Sequence, residues 1–311
     1  MIMCIALKER CMHEMKIGII GAGRVGCSLG KYLADKGRTV AGFYSRNFES
    51  AALAAEFTST DDFPVMAFDD MEKLVALSDT LIITTPDDEI SGVWDCMKEM
   101  SVDERIICHV SGSLSSDVFV GIEKKRAYGA SIHPLLAFRD RFSSYMQLNN
   151  GFFTLEGDGT ALRGLEKLLQ ELGNPYRVIG RKDKAAYHCA ASILSNHVLA
   201  LLELGFGLLE TCGFSEEEAR EASASLIRGN IENVLKNGTL SSMTGPVLRG
   251  DLSTVEKHFQ VLEGEDREIY RLLGRRLLKM AKTKDPGKDY EKLERLFCTS
   301  ENAAHGDRIK K

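Results

Sequence analysis

The chain lacks any C-x-x-C pair: its 8 cysteines (Cys4, Cys11, Cys27, Cys96, Cys108, Cys189, Cys212 and Cys298) are scattered without regular spacing. That excludes the disulfide framework of a small secreted domain, and reduced intracellular thiols are expected instead. Metal-ligand spacing is absent too, so no metal is predicted. A secretory signal is missing. The opening apolar stretch MIMCIAL is short, Lys8, Glu9 and Arg10 follow it, and no small-residue cleavage site appears. No apolar run approaches the ~20 residues that cross a bilayer. Internal repeats and low-complexity tracts are absent as well. A cytoplasmic protein with no membrane partner is the expectation.

Neither sign of charge dominates. Lysine plus arginine number 40 against 45 aspartate plus glutamate, a formal net charge of −5, and the sequence pI is 5.9. This balance speaks against nucleic acid as a partner, while leaving room for a local basic pocket that holds phosphate. With 311 residues, 44% of them hydrophobic and 27% charged, the chain can bury a sizeable core. At ~100–200 residues per domain it should form about two domains.

The pattern changes near residue 180. Before it, short apolar runs (KIGII, TVAGFY, PVMAF, TLIITT, RIICHV, AYGASI, FFTLEG, YRVIG) alternate with helical stretches or gaps long enough for one helix. Strands alternating with helices imply a parallel sheet with helices on both faces. After it, helical periodicity takes over, over residues 183–211, 215–236, 253–282 and 290–297. The expected fold class is an α/β Rossmann-type parallel-sheet domain, residues 15–180, followed by an all-α domain, residues 181–298. Residues 1–14 and 299–311 are expected to be flexible ends, and either Met1 or Met15 serves as the start.

The strand KIGII runs into GAGRVG, which fits G-x-G-x-x-G and opens an amphipathic helix. Gly21 permits the tight turn, Gly23 lets backbone approach a pyrophosphate, and Gly26 lets helix pack on strand. Arg24 and Val25 complete the loop, and the helix N-terminus offers N–H groups to phosphate. NAD sites usually carry a carboxylate about 20 residues on, for the ribose hydroxyls. Here Ser45 and Arg46 occupy that place, a hydroxyl beside a planar fork of donors that suits a 2′-phosphate. NADP(H) is therefore expected. Thr85 and Pro86 end the strand TLIITT and should lie beside the dinucleotide. Ser111, Gly112 and Ser113 follow RIICHV, and His133 follows AYGASI; these strand ends are candidates to hold a substrate carboxylate. Ordinary turn chemistry is the competing explanation for each.

Between residues 183 and 204 nearly every position is apolar, which predicts a helix buried at a domain core. Its polar exceptions, Lys184, His188, Ser192 and Ser195, fall on one stripe at 100° per residue, with Asn196 beside them. A hydrogen-bonded seam between helices would explain the serines. A buried lysine needs a stronger reason, and one with a lowered pKa can give a proton to a developing alkoxide or amine, with His188 orienting or sharing it.

These features resemble the superfamily of ketopantoate reductases, pyrroline-5-carboxylate reductases and 6-phosphogluconate or β-hydroxyacid dehydrogenases. More narrowly, TTPDDEI, HVSGS, IHPLLAF, KAAYHCAASILSNH and TGPVLRGD together resemble a family that joins a Rossmann-like NADP-binding domain to a helical C-terminal domain of unknown function. The resemblance implies Lys184 as a catalytic lysine, with His188 standing where β-hydroxyacid dehydrogenases carry asparagine. It also implies Ser111, Gly112 and Ser113 as a substrate anchor. Arg249, in the helix-breaking segment TGPVLRGD, would reach the active site from the same or a partner subunit, and its Arg-Gly-Asp is not an adhesion signal. The expected activity is NADP(H)-dependent reduction of a small, carboxylate-bearing oxo acid, as in ketopantoate reductases, or of an imine, by a homodimer joined through the helical domain. Three other readings stand beside it: an NADP(H)-binding sensor or scaffold with no activity, a prephenate-type dehydrogenase suggested by His133-Pro134, and a deazaflavin-linked relative.

Overall fold

The computed structural model describes residues 15–60 and 63–298. The expectations about flexible ends at 1–14 and 299–311, and about Met1 as a start, lie outside the described residues. The chain divides into two compact units between His197 and Val198. That places the seam later than the 180/181 boundary read from the change of pattern, because Lys184 and Tyr187 are hydrogen-bonded to the sheet.

The first unit runs β1 (Ile17–Ile20), α1 (Arg24–Asp35), β2 (Val40–Tyr44), α2 (Phe48–Thr58), β3 (Met66–Phe68), α3 (Met71–Leu77), β4 (Thr80–Ile83), α4 (Asp87–Met97), β5 (Ile106–His109), β6 (Tyr128–Pro134), β7 (Phe153–Gly157), α5 (Gly159–Leu172), β8 (Tyr176–Val178) and α6 (Lys184–Leu194). The sheet order is β3-β2-β1-β4-β5-β6-β7-β8. Strands β1 to β6 are parallel, but β7 runs antiparallel to β6 and carries β8 parallel to itself. The expected Rossmann-type parallel-sheet domain followed by a helical one is what the chain forms, with β6–β7 its one antiparallel pair. The β6–β7 connection holds only a 3-10 turn, Ser144–Asn150, and no crossover helix, so the chain returns antiparallel. Likewise β5 and β6 are joined by 3-10 turns and not by a full helix.

Alternation along the strands builds a core on each face. Ile17 and Ile19 join Leu33, Phe43, Leu155, Leu165 and Leu169 on one side. Ile20 joins Leu74, Leu81, Ile83, Trp94, Met97 and Ile107 on the other. Each such aliphatic side chain removed from water contributes ~1.5–3 kcal/mol. The long β6–β7 connection is pinned by Asn174, which accepts from Tyr32 Oη at 2.6 Å. Its amide donates to Leu148 O at 2.8 Å and Gly151 O at 2.9 Å.

The second unit is helical: α7 (Asn196–Thr211, beginning at the seam), α8 (Glu216–Asn237), the single turns α9 (Thr239–Ser242) and α10 (Pro246–Arg249), then α11 (Leu252–Val261), α12 (Gly264–Lys284) and α13 (Glu291–Cys298). Val247, Val255, Phe259, Leu278, Tyr290, Leu293 and Phe297 form its core. Two long helices expected from periodicity are each broken. The 183–211 helix breaks at Ser195, whose hydroxyl donates to Ala191 O at 2.7 Å and so competes with the backbone ladder. The 253–282 helix breaks at extended Leu262, which is buried.

The expectation of a core-buried helix over 183–204 also fails within one chain. Lys184 is the only buried residue of α6, and α7 has none. Residues 181–211 have the length and composition of a membrane span, which corrects the reading that no segment qualifies; the interruption at Ser195 divides them into two helices.

Candidate active site

The C-terminal ends of β1 and β4 meet where the strand order reverses, the usual place for a ligand in an open α/β sheet. Gly21 has φ +105°, and a Cβ there would lie 2.8 Å from Thr84 Oγ1. A Cβ on Gly26 would lie 2.2 Å from Gly21 O. Both glycines are therefore demanded by packing. Gly23 is different: a Cβ there meets nothing within 4 Å, so its missing side chain leaves open approach to the backbone. Thr84 fastens the turn, its Oγ1 donating to Gly21 O at 2.9 Å and its amide to Ile20 O at 2.7 Å.

Helix α1 starts beyond this turn at exposed Arg24 and half-buried Val25, with no side-chain cap and no acid in its first turn. Its free N–H groups and positive dipole end suit an anion. Thr85 Oγ1 is buried with no hydrogen-bond partner among the described residues, an orphan that calls for a further polar group. Together they fit a dinucleotide. Ser45 and Arg46 follow β2; the Arg46 side chain is 78% exposed and pairs with Glu89 at 3.2 Å. Pro86 is exposed and caps the start of α4.

A polar row crosses the sheet nearby. His109 on β5 is in register with Ser131 on β6, and Ser131 with Glu156 on β7. All three are buried. Ser111 N donates to His109 Nδ1 at 3.2 Å, which places the ring proton on Nε2, facing Ser115 O at 3.3 Å. Burial draws the His109 pKa down to about 4. Glu156 accepts from Ser116 N and Ser116 Oγ, both at 2.7 Å, and lies 3.4 Å from Arg181 Nε.

Lys184, at the start of α6, closes over this row. Only 2% exposed, its Nζ donates to Ser131 Oγ at 2.7 Å and to Ser111 O at 2.8 Å. Burial lowers its pKa to about 8, outweighing the opposing pull of Glu156 and Asp87. Its ammonium form is thus held less firmly than that of a lysine in water.

One helical turn on, Tyr187 reaches the next register pair, His133 and Thr154. Its hydroxyl lies 2.7 Å from His133 Nδ1. Burial, then the charges of Lys184 and His188, lower the His133 pKa to about 4. His133 Nε2 and His188 Nδ1 converge on buried Gly112, where a Cβ would sit 2.9 and 2.7 Å from them.

Ser111 and Ser113 are tied to a residue that sequence reasoning left out of the site. Both hydroxyls donate to Asp87 Oδ2 at 2.7 Å, from the first turn of α4. Ser111 Oγ also accepts from Ser113 N at 3.1 Å and Leu114 N at 3.0 Å.

Lys184, His188, His133 and the 111–113 segment are thus brought together. The rest of the stripe is not: Ser195 is exposed and bonded to Asn196 Oδ1 at 3.1 Å, so those two residues form the break between helices. Arg249 lies exposed in the second unit, at the end of α10. Missed were His109, Ser131, Thr154, Glu156, Tyr187 and Asp87. Tyr187 had a signal, standing three residues after Lys184 on the same helix face; alternation of His109 with Ser111 and of Ser131 with His133 was another.

The Rossmann-like domain family matches residues 8–134, and the domain of unknown function DUF2520 matches residues 151–277. No curated protein matches the chain. Among solved structures, protein TM1727 from Thermotoga maritima is 24% identical with TM-score 0.66, over 86% of this chain and 99% of that one. An imine reductase from Pseudomonas sp. is 14% identical with TM-score 0.57, over 87% and 98%. A pyrroline carboxylate reductase from Plasmodium falciparum, with NADP bound, is 14% identical with TM-score 0.55, over 89% and 100%. At these identities the likeness is one of fold.

Proposed function

We propose that this joining of a Rossmann-like domain to a DUF2520 domain is an NADP(H)-dependent oxidoreductase. It reduces either the carbonyl of a small oxo acid, in the manner of ketopantoate reductases, or the C=N bond of an imine. The observation that carries the reading is Lys184: a buried amine, drawn toward neutral pKa, at the carboxyl ends of strands whose neighbours form a dinucleotide cradle. The solved structures of similar fold support the same reading.

Gly23, the α1 N-terminus and Thr85 would hold the pyrophosphate side of the cofactor, and Ser45 and Arg46 the 2′-phosphate. Bound NADPH supplies the hydride. Lys184, held by Ser131 and the Ser111 carbonyl, supplies the proton, with His188 beside it. An assay of NADPH oxidation across ketopantoate, other 2-oxo acids and cyclic imines tests the activity. Turnover in none of them, with NADPH still bound, would leave a cofactor-binding module instead. Lys184→Ala should lower turnover by ~10²–10⁴, and a loss within about threefold would refute the acid role.

The same reading extends to assembly and location. Leu199 (61% exposed), Leu226 (68%) and Leu235 (81%) leave α7 and α8 with aliphatic side chains turned to solvent. A homodimer through this unit would cover them, and light scattering on the purified protein tests it. The unpaired thiols at the six described cysteines suit a cytoplasmic protein.

A further inference from the structure

The sequence expectation gave the substrate a carboxylate, held by Ser111 and Ser113. Their hydroxyls are engaged elsewhere. The Ser111 hydroxyl donates its single proton and accepts two backbone N–H groups, which exhausts a hydroxyl. The Ser113 hydroxyl donates to the same Asp87 oxygen and keeps only lone pairs for a ligand. An incoming carboxylate would meet acceptors and a like charge.

The groups around this corner carry the same message. Asp87 Oδ1 has no hydrogen-bond partner among the described residues, and Asp87 forms no ion pair there. Asp87 is itself exposed at the start of α4, and its two bonds to Ser111 and Ser113 tie it to the edge of the site. Arg181, which could have received a carboxylate, is engaged by Asp117 at 2.6 Å and by Glu156. The Ser111 carbonyl adds one more acceptor.

We propose that Asp87 anchors the substrate by its charge, and that the matching ligand carries a protonated nitrogen, as a cyclic iminium or its amine product does. Of the two substrate classes left open by the reductase reading, on which this inference rests for the cofactor, it selects the nitrogen one. In that arrangement Asp87 Oδ1 and the Ser113 lone pairs accept from the N–H⁺. Lys184 hands its proton to an imine arriving neutral and recovers one from solvent afterwards. The serines hold the carboxylate in place by donating to it.

The test is calorimetric titration of the NADP⁺-loaded protein at neutral pH with two ligands of one ring size, pyrrolidine (a cation there) and cyclopentanecarboxylate. Pyrrolidine should bind at least about tenfold tighter, and Asp87→Asn should erase that preference by about tenfold or more. Ser113→Ala and Asp87→Glu, which retain the charge, should keep it. Thermal unfolding of each variant establishes that it is folded. Tighter binding of the carboxylate, an unchanged ratio in Asp87→Asn, or binding of neither ligand would overturn the assignment. Failure of the reductase reading shows separately, as absence of NADPH binding by quenching of Trp94. A cofactor-free protein that still prefers pyrrolidine would then retain the cation site without the reductase.

Discussion

Lys184 Nζ lies 2.7 Å from Ser131 Oγ, a bond between the first turn of α6 and the middle of β6 that fixes the amine over the buried polar row. Because burial depresses its pKa to about 8, the acid form is present below that pH and is lost above it. Reduction should therefore run at a level rate up to about pH 8 and fall about tenfold per pH unit beyond, while oxidation of the product shows the mirror image. The limb should vanish in Lys184→Met, along with ~10²–10⁴ of the rate. A kcat/KM profile over pH for both proteins checks this.

Two glycines should fail in different ways. At Gly26 an added methyl would meet the Gly21 carbonyl at 2.2 Å, backbone against backbone with nothing free to yield. Gly26→Ala should cost ~1–3 kcal/mol of stability and abolish cofactor binding. At Gly112 the obstacles are the imidazoles of His188 and His133. His188 is exposed and can move, whereas His133 is held by Tyr187. Gly112→Ala should stay folded and bind NADPH with wild-type affinity, but lose turnover about tenfold through a displaced active-site ring. Urea unfolding and cofactor titration separate the two.

This contrast also shows how much of the site could be read from the sequence. The GAGRVG turn was legible because its chemistry is in the backbone, and glycines at fixed spacing announce it. Lys184 and His188 were legible because one helix presents them four residues apart. The row of His109, Ser131 and Glu156 was not, since strand register, set by long-range pairing, aligns three residues far apart in the chain. Asp87 was hidden by its position: an acid in the first turn of a helix needs no further reason. The apolar stretch at 183–204 misled for a physical cause. Periodicity reports how apolar residues are spaced along a helix, and that spacing does not by itself bury the helix.

Among the described residues Arg46 pairs only with partly exposed Glu89, and such a surface pair is readily exchanged for a phosphate. Arg46→Ala should weaken NADPH binding about tenfold or more and leave NADH nearly unchanged. Glu89→Gln should tighten NADPH slightly by removing the competing carboxylate. Fluorescence transfer from Trp94 to each dinucleotide, at fixed ionic strength, measures both. Equal losses for NADPH and NADH in Arg46→Ala would remove the 2′-phosphate assignment.

His109 makes a prediction about stability. Its folded pKa of about 4 lies below the ordinary 6.5 because burial disfavours the imidazolium. Between those values the unfolded chain binds the extra proton, so stability rises with pH there. Its full contribution is present above pH 6.5 and is lost as pH falls toward 4, an effect of ~3 kcal/mol for a fully buried ring. His109→Asn should flatten that part of the stability curve by about one proton, whatever constant cost the substitution adds. Urea midpoints between pH 5 and 7 for the two proteins test it.

Glu156 offers the sharpest separation of charge from architecture. Opposite Ser131 in the β6–β7 pair and 1% exposed, it supports the lysine by charge without touching it. In Glu156→Gln the amide oxygen can still accept from Ser116 N, and the Ser116 hydroxyl can turn to accept from the amide nitrogen. Arg181 keeps Asp117 and is itself more than half exposed, so no buried charge is stranded and the stability loss should stay near ~1 kcal/mol. What changes is the field at Lys184. With one of the two carboxylates that favour its ammonium removed, its pKa must fall further, and the alkaline limb of the reduction profile should move to lower pH. Glu156→Asp, which keeps the charge on a shorter arm, should leave the limb near its original place even where it costs more stability. A purely structural role for Glu156 would give the reverse order, with the aspartate and glutamine variants ranked by their unfolding midpoints and the pH limb unmoved in both.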